Sequence, residues 1–175
     1  MSSGLTSALC RALLVFAVVL PGAAHAAWDW KDGFDLGTRQ GDKLGLLVSP
    51  FTLHFRPSDE HSHVWLIGVQ RERQNGALAG AAYFSNSFGQ HSTYIYPWGQ
   101  IYRDIFDTPR LYVKWTAGLL YGYKGKYKDK VPFNHKGFSP AVIPAIGWEF
   151  DGRRQVQLNA LGLNGVMLQF GLPLE

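Results

Sequence analysis

The sequence predicts an all-β fold, an eight-stranded antiparallel up-and-down transmembrane β-barrel, and three observations predict it. An export-type leader opens the chain. After it, apolar and polar residues alternate through eight strand-length stretches. Tyrosine, tryptophan and glycine are abundant, while no sustained helical apolar stripe follows the leader. An even number of antiparallel strands closes without leaving a hydrogen-bonding edge.

The leader comes first in the chain. Residues 1–26 carry one positive charge, Arg11, then the apolar run Ala12 to Leu20, a Pro21-Gly22 break and Ala24-His25-Ala26, the pattern of a cleaved secretory signal peptide. A spanning helix needs roughly 20 apolar residues, and this run is much shorter. Cys10 lies before the apolar run and leaves with the leader, so the mature chain has no cysteine and no disulfide framework. Loss of Arg11 lowers the formal net charge from +4 to +3, a mildly basic balance that names no partner.

Residues 27–42 form a short periplasmic segment. Gly33, Gly37 and Gly41 make it a poor helix. Residues 43–175 form the barrel. Its strands are expected at Lys43 to Arg56, His63 to Arg73, Ala77 to Ser87, His91 to Arg103, Arg110 to Tyr123, Phe138 to Phe150, Arg153 to Leu163 and Gly165 to Leu172. Asn75-Gly76, Asp151-Gly152 and Asn164-Gly165 are hairpin signals that supply the positive φ of type I′ turns.

Alternation shows what surrounds the strands. In the fifth, Leu111, Val113, Trp115, Ala117, Leu119 and Tyr121 share one face, opposite Tyr112, Lys114, Thr116 and Gly118. The seventh sets Val156, Leu158 and Ala160 against Gln155, Gln157 and Asn159; the last sets Val166, Leu168, Phe170 and Leu172 against Met167 and Gln169. A soluble sandwich would turn its polar face to water. Behind a secretory leader, the inverted arrangement is expected, with the apolar face to lipid and the polar face to a lumen. Eight strands leave room for side chains or one small ligand, which excludes a general porin.

Threading the strands up and down from a periplasmic N-terminus brings the ends of the first and third to one extracellular rim. His54 closes the first, and Phe84-Ser85-Asn86-Ser87-Phe88 closes the third. An imidazole and a hydroxyl at one rim have the chemistry of acyl transfer, in which a base takes a proton from the attacking oxygen.

These residues also carry a resemblance. Phe84-Ser85-Asn86-Ser87-Phe88 is similar to the Phe-x-Asp-Ser-Trp segment of the PagP-type lipid A palmitoyltransferases, and His54 in Thr52-Leu53-His54-Phe55 resembles the histidine that closes their first strand. Thr116-Ala117-Gly118 and Phe138-Ser139-Pro140-Ala141-Val142-Ile143-Pro144-Ala145 resemble that family's later strands. The likeness is divergent and spans about Leu44 to Leu172, resting on four short matches in order.

The resemblance implies an outer-membrane enzyme that moves a palmitoyl chain from a phospholipid donor to a lipid A acceptor. His54, Asn86 and Ser87 would form its catalytic site, with Asn86 where the family has aspartate. An asparagine orients or donates, but cannot stabilise an imidazolium by charge. Pro140 and Pro144 cannot donate to a sheet ladder, and the family uses such gaps to admit lipid sideways. Pro50 and Pro97 are further positions where the wall weakens. Lys124, Lys126, Lys128 and Lys130 crowd the longest outer link, where they would meet lipopolysaccharide phosphates. Where the family sets acyl length with a small residue, this chain reads Tyr94-Ile95-Tyr96-Pro97-Trp98-Gly99, and a ring facing the lumen would shorten the pocket.

No cofactor, no metal and no nucleic acid is expected, and the barrel is expected to act as a monomer. His61 and His63 form an H-x-H pair without a third ligand at suitable spacing, and are expected to be loop residues. Two competing functions use the same fold. One is a lipid A deacylase or phospholipase with water as acceptor. The other is a non-catalytic small barrel.

Overall fold

The computed structural model describes residues 30–33, 35, 37–56 and 58–174; the expected leader lies outside them. Eight strands close into an antiparallel barrel in sequence order: β1 (Lys43–His54), β2 (Leu66–Glu72), β3 (Leu78–Ser85), β4 (His91–Arg103), β5 (Leu111–Tyr121), β6 (Phe138–Glu149), β7 (Gln155–Ala160) and β8 (Gly165–Leu174). The β1–β8 ladder, from Leu44↔Leu174 to His54↔Gly165, completes the closure. Each expected stretch contains its strand, β8 running two residues further, and most are trimmed at the ends, where the chain leaves the ladder to turn. No helix among the described residues is long and apolar enough to cross a membrane, which says nothing of strands.

The wall follows the alternation. Tyr112, Lys114 and Thr116 on β5, Gln157 and Asn159 on β7, and Met167 and Gln169 on β8 are buried in the lumen. The large apolar side chains of the outer wall are exposed, Val142 most among those on strands at 67%. Exposed apolar side chains thus face out from an interior that holds these buried polar groups.

None of the three hairpin signals forms the expected type I′ turn. At Asn75-Gly76 only Gly76 has positive φ (+81°), and Asn75 Oδ1 instead accepts the N–H of Ala77 at 3.0 Å. That is an Asx-type turn, in which the side chain replaces a backbone carbonyl. At Asn164-Gly165 neither residue is left-handed. Gly162 (φ +59°) carries the reversal, and Leu161 and Asn164 close it by hydrogen bonding. At the third signal Asp151–Arg153 forms a 3-10 turn, with Arg153 left-handed at φ +66°.

The lumen divides into two halves. Toward the end that carries His54, Leu47, Val64, Leu66, Ala82, Phe84, Tyr94, Tyr96 and Met167 form an apolar cluster, with Ala141, Ile143 and Leu161 against it. Toward the other end a small apolar cluster of Leu78, Ile101 and Tyr112 lies beside an ionic one. Arg103 holds Glu72 through two bonds of 2.7 and 2.9 Å and Glu149 through bonds of 3.1 and 3.0 Å. Lys114 donates to Gln70 at 2.9 Å. The rings of Tyr94 and Tyr96 stack at 5.2 Å, and Tyr96 donates to Gln70 at 3.2 Å, so these tyrosines form the floor between the halves. Gly80 makes that possible, because a Cβ there would collide with the Tyr96 phenol.

Among its described residues, the segment before β1 shows no α-helix. It forms one 3-10 turn, Trp30–Gly33, packed on β4 where Gly33 lies against the Pro97 carbonyl and the Trp98 ring. Arg71 gathers the carbonyl oxygens of Asp35 and Gly37, and Arg73 pairs with Asp35 at 3.0 Å and Asp42 at 3.3 Å. Arg71 lies between lumen-facing Gln70 and Glu72, so the segment is fastened to the outside of the barrel.

Candidate functional site

The two longest links gather at one end, with two short ones beside them. Residues 55–65 join β1 to β2, 86–90 join β3 to β4, 122–137 join β5 to β6 and 161–164 join β7 to β8. His54 arrives there as the last residue of β1, held by pairing with Gly165 of β8. Ser87 arrives two residues beyond the end of β3. The two meet: His54 Nε2 lies 2.6 Å from Ser87 Oγ, although 33 residues separate them. An imidazole nitrogen in hydrogen-bond contact with a hydroxyl is the base–nucleophile pair of acyl-transfer chemistry. Such a pair is able to take the hydroxyl proton as the oxygen attacks a carbonyl carbon.

Asn86 is placed differently. It is 1% exposed and organises the turn after β3. Its Oδ1 accepts the N–H groups of Phe88 and Gln90, each at 3.0 Å, and its Nδ2 donates to Ser92 at 3.1 Å. Those bonds commit the side chain to the wall, so the structure brings His54 and Ser87 together and turns Asn86 away from them. The strand has ended at Ser85 and Gly89 is left-handed at φ +73°, which is what frees Ser87 to reach the rim.

The ring that does pack on His54 is that of His61, from the link between β1 and β2, at 4.2 Å between centroids. Both His61 and His63 are loop residues, as the sequence led us to expect. Among the described residues no group of three His, Cys, Asp or Glu side chains converges as metal ligands do. The contact of His61 with His54 carries no sequence signal, because it depends on how an irregular link folds back.

The long link closes over this corner. Gly125–Lys130 forms a 3-10 turn, and Tyr127 stacks on Phe88 at 4.2 Å. The expected basic residues sit on the aromatics: Lys124 over Tyr121 at 4.3 Å, Lys126 over Tyr127 at 4.8 Å and Lys130 over Phe88 at 5.4 Å. Lys128 is exposed on the same turn. Hydrogen bonding to Tyr127, aided by Glu60 at 3.4 Å, holds the Lys126 ammonium above the ordinary lysine range, so it stays charged.

The prolines mark irregularities of the wall. Pro50 and Pro97 fall within the two register shifts, Val48/Phe51 on the β1–β8 ladder and Ile95/Trp98 on the β4–β5 ladder. Pro140 and Pro144 lie in an unbroken ladder with β5, paired with Leu119 and Trp115. On their other side β6 is paired with β7 only from Ala145 to Glu149, so Phe138–Pro144 has no β7 partner. A second seam lies between β1 and β2, whose ladder stops at Ser49↔Leu66. Both seams open toward the rim that carries His54 and Ser87. A small pocket lies at the opposite mouth, lined by Gln70, Glu72, Arg103 and Glu149, away from the histidine–serine pair.

Comparison with known proteins adds little to this geometry. No protein-family model and no curated protein matches the chain. Among solved structures, a protein of unknown function from Clostridium acetobutylicum aligns over 77% of this chain and 97% of its own, at 10% identity and a TM-score of 0.19. A likeness that low carries no argument.

Proposed function

We propose that this protein is an outer-membrane acyltransferase that moves a long fatty acyl chain, palmitoyl in the resembling family, from a phospholipid to lipid A. The observation that carries the reading is the 2.6 Å contact between His54 Nε2 and Ser87 Oγ at one rim of a closed barrel, next to an apolar half-lumen. The exposed apolar wall favours a lipid setting, with the loop-bearing rim outward.

The reaction exchanges one ester for another and calls for no cofactor. His54 accepts the Ser87 proton as Oγ bonds to the donor's acyl carbon; the lysophospholipid alkoxide leaves and takes that proton from His54. The acceptor hydroxyl of lipid A then gives its proton to His54, attacks the serine ester and releases Oγ, which recovers the proton. A positioned base contributes about 100 to 10,000-fold in such steps. The β6–β7 seam beside Pro140 and Pro144 supports sideways entry of lipid, and the lysines of residues 124–130 offer point charges to lipid A phosphates. One barrel holds the whole pair, which supports action as a monomer.

Mass spectrometry of lipid A from a Gram-negative host expressing the full chain tests the reading, with Ser87→Ala and His54→Ala at equal level. The expected result is a gain of one fatty acyl mass that both variants abolish while the barrel remains folded. A loss of acyl mass would make the protein a deacylase. An unchanged profile with folded barrels would return it to a non-catalytic role.

A further inference from the structure

If Ser87 and His54 transfer acyl groups, something has to hold the His54 ring in place. A histidine χ2 torsion is broad, so an imidazole keeps one nitrogen on its partner only when a third group fixes the ring. Asn86, which stands beside Ser87 in sequence, spends its side chain on Phe88, Gln90 and Ser92. The group lying on His54 is His61, with ring centroids 4.2 Å apart and planes inclined by 35°.

His61 is delivered there by a link fastened on both sides of it. Its own N–H donates to the Ser58 carbonyl at 2.9 Å, and the N–H of Ser62 donates to the Ser87 carbonyl at 2.8 Å. The second bond ties the link to the residue whose hydroxyl His54 touches. Phe88 backs the His61 ring edge-on at 5.7 Å, and Tyr127 covers Phe88 in turn. His61 Nδ1 is buried without a hydrogen-bond partner among the described residues.

We infer that His61 is a positioning residue of this site: its ring holds the His54 imidazole against Ser87 and keeps it in the uncharged form that accepts a proton. The inference rests on the acyl-transfer reading. Its electrostatic half follows from distance, because a charge on His61 this close would repel one on His54. The neighbouring groups do not reverse that. Gly165, the β8 partner of His54, has no side chain; Ser87 is uncharged; Glu60 is paired with Lys126; and Lys130 lies over Phe88. A carboxylate beside the base would draw it toward the charged state, and a second imidazole does the opposite.

Two substitutions separate the ring from its nitrogens. The full-length protein is assayed in phospholipid bilayers containing lipid A, with a labelled phosphatidyl donor, as wild type, His61→Phe, His61→Ala and Ser87→Ala. His61→Ala is expected to lower kcat at the alkaline plateau by about 100-fold, the cost of a base misplaced by an ångström, with KM little changed. His61→Phe keeps a ring on His54 and should retain most of the plateau kcat. Its acid limb of kcat/KM should move to higher pH, since His54 works deprotonated and has lost the neighbour that disfavoured its proton.

A merely structural role would change the folded fraction, read by heat-modifiable electrophoresis, without moving the limb. If His61→Ala fails to fold, the limb of His61→Phe still decides. A wild-type plateau and limb in His61→Phe overturn the inference. Equal losses in both variants, with raised KM and an unmoved limb, overturn it too and make His61 a substrate ligand. Transfer indifferent to His61 overturns this inference alone, whereas wild-type protein without Ser87-dependent transfer overturns the acyl-transfer reading and the inference with it.

Discussion

Asn86 and Ser87 are neighbours in sequence with opposite tasks, and the difference is testable. Asn86→Ala would leave the N–H groups of Phe88 and Gln90 without an acceptor, at a cost of about 1–3 kcal/mol for each buried group left unsatisfied. Denaturant unfolding in detergent should therefore show a lowered midpoint. Asn86→Asp keeps the acceptor oxygens, and the Ser92 hydroxyl is able to donate where it had accepted. Its acyl transfer per folded barrel should match wild type; a large loss per folded barrel would return Asn86 to the chemistry. The sequence supplied the residue types at this corner and the topology that joins them, since β1 ends at His54 and β3 ends two residues before Ser87 at the same rim. The side-chain directions were not legible. Nothing in Asn-Ser-Phe-Gly tells which side chain caps the turn and which reaches the rim, and the contact of His61 depends on the path of an eleven-residue link, 55–65.

The strands themselves were legible, because a strand buried on one side must alternate and this chain alternates cleanly. The turns were less so: Asn75 solved its reversal with a side-chain oxygen and Gly162 took the positive φ expected two residues later. Among the elements, the upper half of β6 makes the sharpest prediction. Pro140→Ala with Pro144→Ala restores two N–H donors along the stretch that has no β7 partner. If phospholipid enters there, turnover of bilayer phospholipid should fall several-fold while a short-chain soluble ester reacts as before; equal rates on both substrates would remove the seam from the pathway. The segment before β1 has its own pH signature. Hydrogen bonding to Arg39 holds the Asp35 carboxyl below the ordinary carboxylate range, with the Gly37 N–H and Arg73 acting in the same direction. A lowered folded-state value gives stability that is complete above the unfolded value of about 3.9 and is lost as pH falls through the folded one. Limited proteolysis should find the segment docked at neutral pH and released only in strong acid.

At the scale of the whole barrel, the histidine–serine pair and the ionic cluster lie at opposite ends of one lumen. The ionic cluster is closed by Arg103 between Glu72 and Glu149, and Arg103→Met would leave two carboxylates facing each other, a change worth about 3–5 kcal/mol when a buried pair is broken. That variant should unfold earlier and yet transfer the same acyl chain, because the His54 rim lies at the other end. The apolar half carries the converse expectation. Tyr94 and Tyr96 lie across the lumen just where apolar lining gives way to Gln70 and Lys114, so a chain entering from the rim would end against them. Shortening Tyr96 removes the floor without touching His54 or Ser87. Tyr96→Ala should admit a longer chain, and the acyl mass added to lipid A should shift upward in two-carbon steps where the wild type adds one length. The substitution also strips a buried ring, which costs about 3–5 kcal/mol, so the measurement belongs at reduced temperature with folded barrel quantified. An unchanged acyl mass from a folded, active Tyr96→Ala barrel would place the chain outside the lumen and move the length-setting contact to the outer wall beside the seam.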